Sequence, residues 1–324
     1  IHVHLIQFFM CPEFWVHITE GLRFLSQRGR GSIAERNAKL ILMVGVLGVS
    51  ASAILVRFSQ APSGVTAAYR LGWTVLLLLP VVLLRCRAEL RRGTARDLVL
   101  CGASGVLLAL HFLTWFESLK RTSVASSTVL VSTEVIFTAL GFALFLHGKI
   151  PRLGVWAILL AFGGSALLAL SGGGGAGELS GNLLALAAAS AAAVYTLIGR
   201  IQRGHLSTTV YTFLTYLACF LTLLLGTAAA GTPLTGYGGR EWLIGLALAV
   251  LCTLLGHSLF SWCLKYLSPS YVSAAKLCEP VFSSLAAIPL FGEVPGPLQL
   301  AGGAAVLGAV LLYTWAEREK PPAG

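Results

Sequence analysis

Apolar residues run along most of this chain in stretches of about 20, the length a helix needs to cross the hydrocarbon core of a bilayer. Ten stretches qualify: 40–59, 64–84, 97–118, 123–146, 152–171, 181–201, 208–230, 241–265, 269–291 and 296–316. Residues 153–177 and 294–316 contain no charged residue. The runs are continuous, so they predict helices. Strands of an outer-membrane barrel would show segments of about 10 residues with alternating polarity. Short breaks rich in Gly, Pro and Ser separate several of them, at 60–64, 171–181, 231–239 and 292–297. The predicted fold is all-α, a polytopic membrane protein of ten transmembrane helices. Residues 1–38 depart from the pattern, with Pro12, Glu13 and Glu20 interrupting the apolar positions before Arg23, Arg28, Arg30 and Arg36. They are read as a cytoplasmic extension, and 317–324 as a cytoplasmic tail.

Composition supports this class. Of 324 residues, 56% are hydrophobic and only 11% charged, against roughly 25% charged in an ordinary soluble domain. The mean hydropathy is +0.82. Disorder requires the opposite balance. The net charge of +10 could signal nucleic acid; in so apolar a chain it reads as cytoplasmic loops rich in Lys and Arg. With the N-terminus placed in the cytoplasm, 17 of the 23 basic residues fall on inside segments. Four fall outside (Arg57, Lys120, Arg121, Arg240), and Arg70 and Lys276 lie within spans. This asymmetry sets the orientation with both termini inside. It also supports an even number of spans. The seven cysteines form no CxxC pair and read as small core hydrophobes.

The chain also resembles itself. A shift of 145 residues places Leu119, Lys120, Ser123, Glu134, Phe137 and Leu140 on Leu264, Lys265, Ser268, Glu279, Phe282 and Leu285. A shift of 144 places Gly148-Lys-Ile-Pro151 on Gly292-Glu-Val-Pro295. The expected organisation is a first five-helix repeat over 39–171, a Gly-rich linker over 172–180 and a second repeat over 181–316. Five is odd, so the second copy enters the membrane from the opposite side, as in the inverted repeats of secondary transporters. The glycines of Ser171-Gly-Gly-Gly-Gly-Ala-Gly177 precede no Lys-Ser/Thr and so form no phosphate loop.

Two five-span halves, with Leu277-Cys-Glu279-Pro-Val-Phe282 followed by Phe291-Gly-Glu293 and a weaker counterpart Ser132-Thr-Glu134-Val-Ile-Phe137, resemble the EamA family of the drug/metabolite transporter superfamily. The stretch from His111 to Leu119 with Thr122–Thr128 shares this likeness, which covers roughly 39–316. The chain departs from the pattern where Val135 replaces the proline and where Lys149 stands in place of Glu293. The resemblance implies an inner-membrane carrier in a bacterium, often an exporter of amino acids or other small metabolites.

Charge inside the spans marks the candidate pathway. Each of Glu134, Lys276 and Glu279 would cost about 2.5–3.5 kcal/mol at the bilayer centre if it faced lipid. They must pair, neutralise or line an aqueous cavity. Lys276 and Glu279 are three apart, and on an unbroken helix they would share a face, so a structural ion pair between them is the competing reading. Pro280 is expected to kink the helix there. His111 and His257 fall within one residue of repeat-equivalent positions and could relay protons, or simply bond to neighbouring helices. Arg57 reads as a boundary anchor. Arg70 is expected to snorkel or to guard the external mouth, and Trp115, a turn from His111, to line the cavity. Lys276 has Val131 as its counterpart. A buried cation that breaks the repeat suggests a substrate with a carboxylate, or a zwitterion.

The expected function is a secondary transporter working by alternating access, with Glu134 or Glu279 carrying protons in a coupled cycle. Channel and non-transporting scaffold are the alternatives. No HExxH or GxSxG motif is present, so an enzyme is not expected, nor is any cofactor or metal. The expected partners are a small molecule and the lipid bilayer, with no nucleic acid; a homodimer is left open.

Overall fold

The computed structural model describes residues 32–145, 150–171, 176–202, 206–263 and 275–318. These form helices α1 (Ser32–Phe58), α2 (Ser63–Arg85), α3 (Arg87–Arg92), α4 (Ala95–Arg121), α5 (Val124–Val131), α6 (Glu134–Phe145), α7 (Arg152–Ser171), α8 (Ala176–Gln202), α9 (Thr208–Ala229) and α10 (Gly239–Ala247). A π-helical segment, Leu248–His257, follows, then α11 (Ser258–Cys263), α12 (Cys278–Phe291) and α13 (Pro297–Arg318). Among the described residues there is no strand. Among the described residues eight helical stretches are long and apolar enough to cross a membrane, two of them continuing through element boundaries (Val124–Gly141 and Gly239–Gly256), and the apolar stretches Arg152–Leu168 and Cys278–Phe291 are shorter. Each of these ten lies on one of the ten predicted stretches. Helix α1 starts inside the expected extension; residues 1–31, the glycines 172–175 and the tail from 319 lie outside the described residues.

Helix packing follows the internal repeat. Helix α8 packs on α4 as the π-helical segment packs on α1. Helix α9 packs on α4 as α10 packs on α2, and α8 on α5 and α6 as α12 packs on α1. The remaining large contacts, α2 with α9, α5 with α12 and α7 with α13, join repeat-equivalent elements. Exchanging the two halves therefore reproduces the major contacts, and the pseudo-axis passes between α5 and α12.

Both elements beside that axis are interrupted. Between α5 and α6, the Ser132 hydroxyl donates to the Thr128 carbonyl at 2.9 Å and the Thr133 hydroxyl to Leu130 at 2.6 Å. These side chains compete with the helix ladder. The Thr133 N–H also turns to Leu130 O at 3.1 Å, an i→i+3 bond that tightens the last turn. In the second half, Pro280 has no N–H to offer the carbonyl of Lys276. Proline is tolerated in a first turn, and α12 starts with Pro280 in that place. The break falls at Leu277. Leu277 lies within the turn that Pro280 disturbs.

Candidate functional site

The interruptions place Glu134 and Glu279 at the starts of α6 and α12, where helix N-termini favour negative charge. Glu134 accepts a hydrogen bond from the Thr196 hydroxyl of α8 at 2.8 Å. Glu279 lies within electrostatic range of Lys276, Arg70 and Glu134. His111 is within range of Glu134, Arg70 and Lys276. Five ionisable residues, drawn from α2, α4 and both repeat-equivalent breaks, thus converge on one region.

Lys276 and Glu279 form no ion pair within 4 Å. Leu277, between them, is a turn residue that keeps near-helical angles, φ −67° and ψ −12°, so their spacing alone does not bring the two charges together. Lys276 instead sits over the Phe260 ring, 5.7 Å from its centroid. Arg70 neither snorkels nor reaches the external surface: it is 1% exposed. Its guanidinium lies 4.4 Å from the Phe112 ring centroid and donates from Nε to Thr253 at 2.9 Å and from Nη1 to Ser52 at 3.2 Å. Cation–π contact of this kind is strengthened by desolvation. His111 faces the Ala188 carbonyl through Nδ1 at 3.0 Å. A carbonyl only accepts, so Nδ1 carries the proton. The ring stacks on Trp115 at 5.8 Å, and Trp115 is 4% exposed with no hydrogen-bond partner for its Nε1 among the described residues. The side chain of His257 lies outside the described residues.

Several partners of this site carried no signal in the sequence. Thr253 belongs to the π-helical segment, where its hydroxyl bonds back five residues to Leu248 O at 3.3 Å. Such segments recur at functional sites, but nothing local in the sequence marks one. Thr196 stands at the end of an Ala-rich run that reads as packing alone.

A second polar cluster joins the halves at the end of the bundle assigned to the outside. Arg57, at the end of α1, pairs with Glu293 at 2.8 Å. Its Nη1 also donates to the carbonyls of Leu119 and Thr122, the latter at 3.1 Å. The other Glu293 oxygen accepts the N–H of Val124, the first residue of α5, at 2.7 Å. Gln299 of α13 donates to Ser123 and Ser126, both at 3.0 Å. Arg57 is therefore more than a boundary anchor: it ties α1 and α4 to the segment after α12.

A helical membrane protein of two related halves, with charge gathered where repeat-equivalent helices break, belongs to the transporter class. The sequence profile of the EamA-like transporter family matches residues 37–170 and again 179–315, and the chain belongs to that family. It is 24% identical to the pseudopaline exporter CntI of Pseudomonas aeruginosa over 64% of this chain and 72% of that one. It is 28% identical to a protein of Streptantibioticus cattleyicolor named as a probable terminal-alkyne amino-acid exporter, over 68% of this chain and 75% of that one. One crystal structure superposes with a TM-score of 0.58 over 88% of this chain and all of that chain; at 19% identity this shows the fold alone.

Proposed function

We propose that this protein is a secondary exporter of a small zwitterionic or carboxylate-bearing metabolite, such as an amino acid, working by alternating access across ten spans. The observation that carries the reading is the convergence of Arg70, His111, Glu134, Lys276 and Glu279 at paired helix breaks. Helix interruptions of this kind form substrate sites in transporters of known mechanism. Charge of both signs, on the buried Arg70 and the half-buried Lys276, Glu134 and Glu279, suits a substrate bearing both an amino and a carboxylate group. Two relatives bear the names of exporters, one of them of an amino acid, which supports both direction and chemistry.

On this reading the two carboxylates, equivalent by the repeat, serve the transport cycle. The two cations have uncharged counterparts, Val131 for Lys276 and Thr215 for Arg70 under the same 145-residue shift, and answer to the substrate. Purified protein in liposomes, screened against free amino acids and related metabolites, tests the function. A carrier gives saturable flux for a member of the panel. Flux that rises linearly with concentration contradicts the reading in favour of a channel, and no flux for any compound contradicts it in favour of a scaffold.

A further inference from the structure

We infer that the Arg57–Glu293 cluster is the external gate of this carrier, and that the resting protein is closed outside and loaded from the cytoplasm. The inference rests on the alternating-access reading above and adds which gate is held shut.

The cluster lies where a gate must act. Arg57 holds the end of α1 and the carbonyls that close α4, and Glu293 holds the first N–H of α5. Gln299 adds a second tie from α13 to the same turn, and its Oε1 accepts the N–H of Gly296 at 3.1 Å. Phe291 packs against Phe58 at 5.0 Å between ring centroids, and the Arg57 guanidinium lies 6.0 Å from the Phe291 centroid. Within this layer, a cavity of about 260 Å³ is lined by Ser123, Ser284, Glu293 and Gln299. Deeper along α12, Ser283 is fully buried and donates to the Ser50 carbonyl at 3.0 Å. Helices α5 and α12 lead directly to the breaks that carry Glu134 and Glu279. The halves cannot part on this side without separating Glu293 from Arg57 and from the α5 terminus.

The repeat makes the gate one-sided. Carried into the first half, the position of Glu293 is occupied by Lys149, and the basic residues near it in sequence or by repeat are Arg152, Arg200 and Arg203. At that end the counterpart of Arg57 is Gln202, which donates to Asp97 Oδ1 at 3.2 Å, a hydrogen bond with a single charge where the outer end has an ion pair. Two gates that symmetry would make equal in energy are therefore unequal, and the difference favours the externally closed state. A ligand-free carrier in that state exposes its site to the cytoplasm, as loading for export requires.

Thiol accessibility tests this without knowledge of the substrate. Ser132→Cys, half-buried at the first-half interruption, is placed in a background without other cysteines, and a membrane-impermeant maleimide is added to intact cells or to inside-out vesicles. The gate predicts slow labelling from outside and faster labelling from inside. Arg57→Gln, and separately Glu293→Gln, which keeps an acceptor for Val124, should each raise external labelling about tenfold by shifting the population outward. External labelling unchanged in both variants, or fast before either substitution, overturns the gate. Two variants guard against one that fails to insert. If the labelling responds but no compound in the transport panel moves, the gate stands and the transport reading falls. If transport occurs but labelling does not respond, the gate falls and the transport reading stands.

Discussion

Lys276 and Glu279 show how a single residue's spacing can mislead. Three positions apart, they look like an ion pair on one helix, yet no nitrogen–oxygen approach within 4 Å joins them. Lys276 rests over an aromatic ring and acts on Glu279 only across a distance, without a direct pair. Lys276→Ala should therefore abolish transport in liposomes while leaving insertion intact, and Lys276→Ala with Glu279→Ala should remain inactive. Restored transport in the double variant would show that the two only neutralise each other, since an unpaired buried charge is then the main penalty. Glu134, Lys276 and Glu279 were legible in the sequence because charge in a span is costly. Arg70 was legible as an anomaly but not in its environment. Its Phe112, Thr253 and Ser52 partners come from three other elements, and no local pattern announces such a meeting.

At the scale of elements, hydropathy located the spans but not their interruptions. The second-half break has Pro280 as a flag. The first-half break has only Ser132 and Thr133, whose back-bonding hydroxyls are equally at home in an unbroken helix. The π-helical segment is likewise silent in sequence, yet its contact with α1 depends on glycine. A Cβ on Gly48 would lie 2.7 Å from the Leu251 carbonyl oxygen, and one on Gly256 would lie 2.5 Å from a Val49 methyl. Backbones approach this closely only through small residues. Gly48→Ala should cost about 1–3 kcal/mol through overpacking and lower the melting temperature of the purified protein. Gly163→Ala in α7, where nothing lies within 4 Å of the added methyl, should leave it unchanged or raise it slightly. Equal losses at both positions would contradict this close crossing.

The whole molecule rests on two related halves, each matched by the family profile, and on an orientation read from charge. Gly175→Cys should react with an impermeant thiol reagent added to sealed cells, and Arg92→Cys should not; labelling at 92 would overturn the ten-span orientation. Proton coupling through Glu134 or Glu279 predicts that an imposed pH gradient changes the transport rate in liposomes clamped at zero potential. An unchanged rate would make the protein a uniporter. The central claim is that charges from both halves form one substrate site, exposed to each side in turn. Counterflow measures this most directly. Liposomes preloaded with unlabelled substrate should accumulate external labelled substrate transiently above equilibrium, and Lys276→Ala protein should not. Labelled substrate that only equilibrates, at a rate indifferent to preloading and to Lys276, would contradict the account.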